Sequence, residues 1–183
     1  IVLVAGFFAF TARDQAVAEE VYGDGEMDVH IEVYGKQWAW DFNYTDDDVY
    51  YSGTQAHLNT DGSEGVEDTL PTLYLPADSD IELEITSRDV IHSFWVPAFL
   101  EKMDVNPGIV NRFQVTPNQT GTFQGKCAEL CGEFHSEMLF NVEVVSPAEY
   151  DAYLESLEQQ GFVGEIDESI NPVPGVEPEH VEQ

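Results

Sequence analysis

The run Cys127-Ala128-Glu129-Leu130-Cys131-Gly132-Glu133-Phe134-His135-Ser136-Glu137-Met138 gathers two thiols, an imidazole and a thioether into one short stretch. The chain holds only two cysteines and three methionines, so this clustering is selective. Thiolate, imidazole and thioether together suit a soft or borderline metal, copper first. One further donor is expected from elsewhere, and His92 in Asp89-Val90-Ile91-His92-Ser93-Phe94-Trp95-Val96-Pro97 is the best candidate. A mononuclear electron-transfer copper takes one Cys, two His and a weak axial Met. This chain offers that set plus a second thiol. Two thiolates can each bridge a pair of copper ions, leaving one imidazole per ion and weak axial groups beyond. The three-residue gap between the cysteines suits a loop that turns both sulfurs inward. It is wider than the gap of the thioredoxin redox motif and of many zinc knuckles. A structural zinc held by Cys127, Cys131, His92 and His135 competes with this reading but leaves Met138 unexplained. A disulfide competes too, and leaves His135 and Met138 without purpose.

Outward from this loop the chain reads as strands. Gly121 to Lys126 leads in and Leu139 to Val145 leads out. Thr69 to Pro76, Asp80 to Ser87, Val90 to Pro97 and Val110 to Thr116 are further strands, with Phe99 to Gly108 a turn-rich crossing. Asp28 to Tyr44 alternates, with a break at Gly35, and sets Trp38, Trp40, Phe42 and Tyr44 on one face. Thr45 to Asp68 is an acidic stretch that reads as a long hairpin excursion or a surface loop, in which Asp46, Asp47 and Asp48 read as solvated surface and His57 has no evident partner. Strands at short spacing, with the ligand loop between the last two, predict a mainly β fold, a Greek-key β-sandwich. Ser146-Pro147-Ala148-Glu149 then opens a helix, with Ser as cap and Pro at the first helical position. Tyr150, Tyr153 and Leu157 follow at helical spacing and Gly161 ends it. From Gly164 the acidic, proline-containing tail reads as disordered, or as laid on a partner.

The 183 residues suit one domain with tails. Acidic residues number 36 against 6 basic ones, a net charge of -30, which excludes nucleic acid as a partner. A composition 43% hydrophobic and 12% aromatic argues for a folded body inside an acidic shell. Such self-repulsion is screened in molar salt, where the Debye length is about 3 Å, so a halophilic source is expected. Ile1 to Phe10 is apolar but shorter than the about 20 residues that span a bilayer. It is expected to be the end of a transmembrane helix that anchors the chain; a signal-peptide remnant is the alternative. The expected organisation is a helix end over 1–12, a linker over 13–27, the sandwich over 28–146, and a helix with its acidic tail over 147–183.

The pattern Cys-x3-Cys-x3-His-x2-Met, with the upstream His92-Ser93-x-x-Val96-Pro97, resembles subunit II of the haem–copper cytochrome c oxidases, from about Tyr34 to about Val145. The resemblance implies a cupredoxin fold and a dinuclear copper centre, CuA. The sulfurs of Cys127 and Cys131 would bridge both ions. His92 and Met138 would serve one ion, His135 and the backbone carbonyl of Glu129 the other. The segment Gly35-Lys36-Gln37-Trp38-Ala39-Trp40 is similar to the family's aromatic region, which implies that Trp38 lies over the copper and accepts electrons. The Glu129 side chain would bind a magnesium or manganese ion at the boundary with subunit I. Asp89, Lys102 and Asp104 also align; Asp89 would either join a hydrogen-bond network at that boundary or be solvated surface. The implied function is that of a membrane-anchored subunit with its copper domain on the outer face. It would take electrons from cytochrome c or a blue copper protein and pass them to haem in subunit I, which reduces oxygen to water. The chain has no nucleophile, acid–base pair or phosphate loop of its own. A copper-delivery chaperone is the alternative, but that class has a thioredoxin-like fold and a histidine that follows its cysteines. A nitrous oxide reductase would carry an attached propeller, and a quinol oxidase would lack the cysteines.

Overall fold

The computed structural model describes residues 1–21, 27–56 and 70–166. Its elements are α1 (Val2–Val21), β1 (Val29–Lys36), β2 (Ala39–Tyr44), β3 (Val49–Ser52), β4 (Thr72–Pro76), β5 (Ile81–Ser87), β6 (His92–Val96), β7 (Glu101–Val105), β8 (Asn111–Val115), β9 (Gly121–Cys127), β10 (Leu139–Val145) and α2 (Pro147–Gln160). The strands form two five-stranded sheets, ordered β3-β2-β1-β5-β8 and β4-β10-β9-β6-β7. β1 runs parallel to β5 and β4 parallel to β10, while the other pairs are antiparallel. Sheet neighbours are often far apart in sequence, so the chain crosses repeatedly between layers, as the expected cupredoxin-like sandwich requires.

Alternation decides which residues fill the space between the sheets. Ile81, Leu83 and Ile85 of β5 are fully buried, as are Val142 and Val144 of β10. Trp40 and Phe42 of β2 reach across to the other sheet. Trp40 meets Phe94 at 5.5 Å and Phe140 at 5.3 Å between ring centroids, and Phe42 meets Phe140 at 6.4 Å. A fully buried ring of this size contributes about 1.5–3 kcal/mol. Trp40, Phe42 and Tyr44 share the buried face expected of them, whereas Trp38 lies before β2 begins and is only half-buried.

The structure departs from the sequence reading in three places. The crossing over Phe99 to Gly108 contains β7, which pairs with β6. Its only buried residue is Val105, so the strand carries little hydrophobic signal and exists through its ladder. The acidic stretch opens with β3, hairpinned onto β2, in keeping with the hairpin reading; His57 lies outside the described residues. α1 runs on through Arg13 and Asp14 to Val21, past the expected boundary at residue 12. The segment Gln15 to Val21 has no Gly or Pro, and mostly good helix formers. No helix among the described residues is long and apolar enough to cross a membrane.

The last departure is at the other end. α2 starts with the expected capping box between Ser146 and Glu149, and stops at Gly161 in the left-handed conformation (φ 85°). The chain then stays on the body, although the tail was expected from Gly164. The Tyr50 N–H donates to Phe162 O at 3.1 Å and Gly164 N–H to Asp48 O at 2.7 Å, so this segment covers the edge strand β3. Ile166 is 4% exposed, and its N–H donates to Asn43 Oδ1 at 3.1 Å. An open strand edge is a liability in a sandwich, which gives this strap its physical reason.

Candidate metal centre

Three stiff elements carry the ligand residues. His92 opens β6, Cys127 ends β9, and the loop from Ala128 to Met138 returns the chain to β10. The Cys127 N–H donates to Met138 O at 3.0 Å, which closes the loop at its neck, and Ala128 N–H donates to Ser93 O at 2.9 Å, which ties it to β6. His92 itself is 0% exposed, with its ring lying over Gly35. A Cβ at Gly35 would stand 3.0 Å from that ring, so the position favours a residue without one.

Around this frame the donors converge. The two sulfurs are 3.8 Å apart, and both cysteines are free and buried. Covalently joined sulfurs sit about 2.05 Å apart, so the disulfide reading does not describe this state. His92 Nδ1 lies 3.9 Å from Cys127 Sγ, and His135 Nδ1 lies 3.6 Å from Cys131 Sγ. Met138 Sδ is 3.8 Å from Cys131 Sγ, and Glu129 O is 3.2 Å from Cys127 Sγ. The donor atoms of His92, Cys127 and Cys131 all fall within 4.8 Å of one another. All six residues singled out as donors therefore meet at one place. With metal–sulfur bonds of about 2.3 Å, sulfurs at this spacing can share an ion. The mixture of thiolate, imidazole and thioether fits copper better than a hard cation.

The surroundings set the donors' proton states. Asp89 Oδ1 accepts from His92 Nε2 at 2.8 Å, which leaves Nδ1 to face the sulfurs. Burial disfavours charge on the Asp89 carboxyl, but its contacts with His92 and the Gln37 and Val90 N–H groups outweigh that and hold it below its usual value. Burial likewise opposes charge on His92, and Asp89 together with Cys127 overcomes it, so its pKa is raised. At Cys127 burial pushes the thiol up, but His92 and the backbone around Glu129 and Ser93 bring it down to about 7. At Cys131 burial and the neighbouring Cys127 charge act together and push it up to about 12.

The metal-free pair thus loses its first proton near neutrality and holds the second far into the alkaline range. The first thiolate favours the folded state. Its contribution is in place above the unfolded thiol's value of about 8.5 and is lost as pH falls through about 7. Thiolate absorbance near 240 nm, followed on the metal-free protein, should show one thiolate appearing around pH 7 and no second one before pH 9. Two thiolates rising together would contradict this asymmetry.

Trp38 sits at the rim of the centre. Its indole Nε1–H donates to Cys131 O at 3.3 Å, and its ring packs edge-on against Phe134 at 4.8 Å. The Glu129 side chain is exposed. Lys102 Nζ donates to Ser93 Oγ and to Asp104 Oδ1, both at 3.2 Å, so these two charges face one another. The sequence reading gave no role to Gln37, whose side chain donates to Cys131 O at 2.8 Å. Its place beside Trp38 was the only signal.

The family model described as cytochrome C oxidase subunit II, periplasmic domain, matches residues 29–145. A probable cytochrome c oxidase subunit 2 of Streptomyces avermitilis is 40% identical over 199 residues, covering 93% of this chain and 61% of that protein. A cytochrome c oxidase subunit 2 of Mycobacterium tuberculosis is 33% identical, covering 84% of this chain and 54% of that protein. The chain thus spans about three fifths or less of these relatives' length. Among solved structures, the periplasmic domain of subunit II of cytochrome oxidase from Bradyrhizobium japonicum superimposes with a TM-score of 0.67 at 31% identity, over 76% of this chain and 99% of that one. A second, with a TM-score of 0.63 at 30% identity, covers 77% of this chain and 97% of that one; it is a mixed disulfide intermediate between a thioredoxin-like protein and subunit II of cytochrome c oxidase.

Proposed function

The chain belongs to the cytochrome c oxidase subunit II family, and from that premise we propose that it is the electron-accepting, copper-bearing part of a haem–copper terminal oxidase. The observation that carries this reading is the buried meeting of His92, Cys127 and Cys131, with His135 and Met138 on the second sulfur. When bound, a pair of copper ions supplies a store for one electron at a time. Cys127 and Cys131 would hold the pair through their sulfurs, with His92, His135, Met138 and the Glu129 carbonyl as the remaining donors. Strands β6, β9 and β10 flank and tie down the loop that carries the other donors, so the donor geometry would change little between oxidation states and electron transfer would stay fast.

Trp38 receives the electron. Its ring is accessible on one side, and on the other its N–H reaches the carbonyl of a ligand residue. The donor is a cytochrome c or a blue copper protein, and the acceptor is haem in subunit I, which reduces oxygen to water. The exposed Glu129 carboxylate is a hard ligand suited to magnesium or manganese shared with subunit I. The copper domain lies on the extracytoplasmic face of the cell membrane. A net charge of -30 fits a halophilic setting, where salt screens charge attraction and apolar contact around Trp38 weighs more in docking. Two free thiols 3.8 Å apart oxidise readily, and a thioredoxin-like reductant is the partner suited to keep them open for copper. The copper-delivery reading needs strand–helix alternation, which the ten-strand sandwich lacks among the described residues.

The copper-loaded protein is expected to give a purple, mixed-valence electron paramagnetic resonance signal with one electron shared over two coppers. Trp38→Phe is expected to keep that signal and to slow electron uptake from cytochrome c by at least about tenfold, a barrier change near 1.4 kcal/mol. A single-copper signal in the parent protein would overturn the dinuclear reading. Uptake at the parental rate in Trp38→Phe would remove the role given to the indole.

A further inference from the structure

We propose that Gln37 is a positioning residue for the copper centre, a two-ended clamp that holds the Cys131 carbonyl and the His92 orienter in one frame with Trp38. The inference rests on the copper reading above and adds a residue to it. Gln37 uses both of its amides. Its side-chain Nε2 donates to Cys131 O at 2.8 Å, across 94 residues of sequence. Its backbone N–H donates to Asp89 Oδ2 at 2.6 Å, across 52 residues. The other oxygen of that carboxylate takes His92 Nε2 at 2.8 Å. One residue therefore links the ligand loop to the turn that leads into His92, and the following residue in the chain is Trp38.

The Cys131 carbonyl is the junction of this arrangement. It accepts from Gln37 Nε2 on one side and from Trp38 Nε1 at 3.3 Å on the other. The two donors fix the peptide that follows Cys131, and with it the direction of the Cys131 side chain. Gly132 completes the fit. It has φ +128°, a conformation side chains rarely adopt, and a Cβ there would stand 3.0 Å from Gln37 Nε2 and 3.1–3.2 Å from the Trp38 ring atoms Cζ2 and Nε1. The loop thus presses its backbone directly onto Gln37 and Trp38.

A surface residue with this task has a distinctive signature. Gln37 is exposed, so replacing it removes no core packing. Groups that orient metal ligands from outside change metal affinity by about 10–100-fold when lost. Gln37→Met keeps the length of the side chain and removes its donors. Gln37→Glu keeps the shape and sets an acceptor against the carbonyl. Gly132→Ala leaves Gln37 intact and breaks the contact from the loop side.

The test uses the full chain, copper-loaded, and follows copper release to a chelator, the copper hyperfine splitting in electron paramagnetic resonance, and thermal unfolding of the metal-free form. Gln37→Met and Gln37→Glu are expected to speed copper release about tenfold or more and to change the hyperfine splitting. Metal-free unfolding should stay at the parental temperature. Gly132→Ala should move copper release in the same direction. If both Gln37 variants release copper at the parental rate with an unchanged hyperfine pattern, the clamp is refuted. The same holds if release quickens only in proportion to lost fold stability, since Gln37 would then serve structure alone. These results are separable from the role of Trp38. Parental electron uptake in Trp38→Phe removes the indole's role and leaves the clamp standing on copper release. Parental release in the Gln37 variants removes the clamp and leaves the indole untouched.

Discussion

Replacing either cysteine by serine is expected to abolish the shared-electron signal and to lower copper affinity by more than about a hundredfold, since even groups one step removed from a metal are worth 10–100-fold. The two replacements should differ in what survives. Cys131 stands between the halves of the centre. Its sulfur is within 4 Å of the Cys127 sulfur, of His135 Nδ1 and of Met138 Sδ. Without it, the donors His135 and Met138 lose their thiolate neighbour, and Cys127 keeps only His92 and the Glu129 carbonyl at hand. Cys127→Ser leaves Cys131, His135 and Met138 together, which is most of a single-copper electron-transfer set. Cys127→Ser should therefore retain one copper with a mononuclear spectrum, while Cys131→Ser should retain little. Neither change should unfold the protein, because a serine hydroxyl at 127 has the Glu129 carbonyl within reach and the volume change is small. Copper competition titrations with spectra of each variant check this order. A shared-electron signal in either variant would show that one sulfur suffices, and the bridging roles would have to be abandoned.

The donors of this centre were legible because their chemistry is rare and local. Cys127, Cys131, His135 and Met138 fall in one loop, and soft donors so close together have few other uses. His92 was legible only through the need for another imidazole and through its neighbours Ser93, Val96 and Pro97. What held these residues in place was not legible. Gln37 and Asp89 act through hydrogen bonds that span 52 and 94 residues, and a polar side chain on a strand end looks the same whether it meets water or a distant carbonyl. Alternation found the strands that bury a face, such as Ile81, Leu83 and Ile85. It missed β7, whose exposed residues are Lys102 and Asp104 and whose existence rests on pairing with β6. It also missed the strap at Phe162 to Ile166, a segment too short to show a period, which is held by backbone bonds to β3 and the turn before it.

Trp40→Ala is expected to cost about 3–5 kcal/mol of stability, the range for removing a large aromatic side chain from a core. Trp40 is 0% exposed and stands where the sheets and the metal centre meet. Its ring lies 5.3–5.5 Å from Phe140 and Phe94, and 6.2 Å from the His92 ring. Truncation opens a void between the layers and removes a wall from His92 at once. Against a total of about 5–15 kcal/mol for an ordinary domain, the loss is about a fifth or more of what holds the fold together. Trp40→Phe separates the causes. The Trp40 Nε1–H is buried with no hydrogen-bond partner among the described residues, and an unmet donor of that kind costs about 1–3 kcal/mol. Phenylalanine loses some packing area but removes that penalty, so it should cost at least about 2 kcal/mol less than alanine. Urea unfolding of the metal-free variants reads the stability difference without the contribution of bound copper. Copper release then reports on His92, and it should be fast in Trp40→Ala and near parental in Trp40→Phe, because the phenyl ring still supports the imidazole. Equal losses for the two substitutions would mean that the indole N–H is satisfied in solution. A loss below about 1 kcal/mol in Trp40→Ala would mean that the layers close over the gap and that the aromatic bridge does not hold them apart.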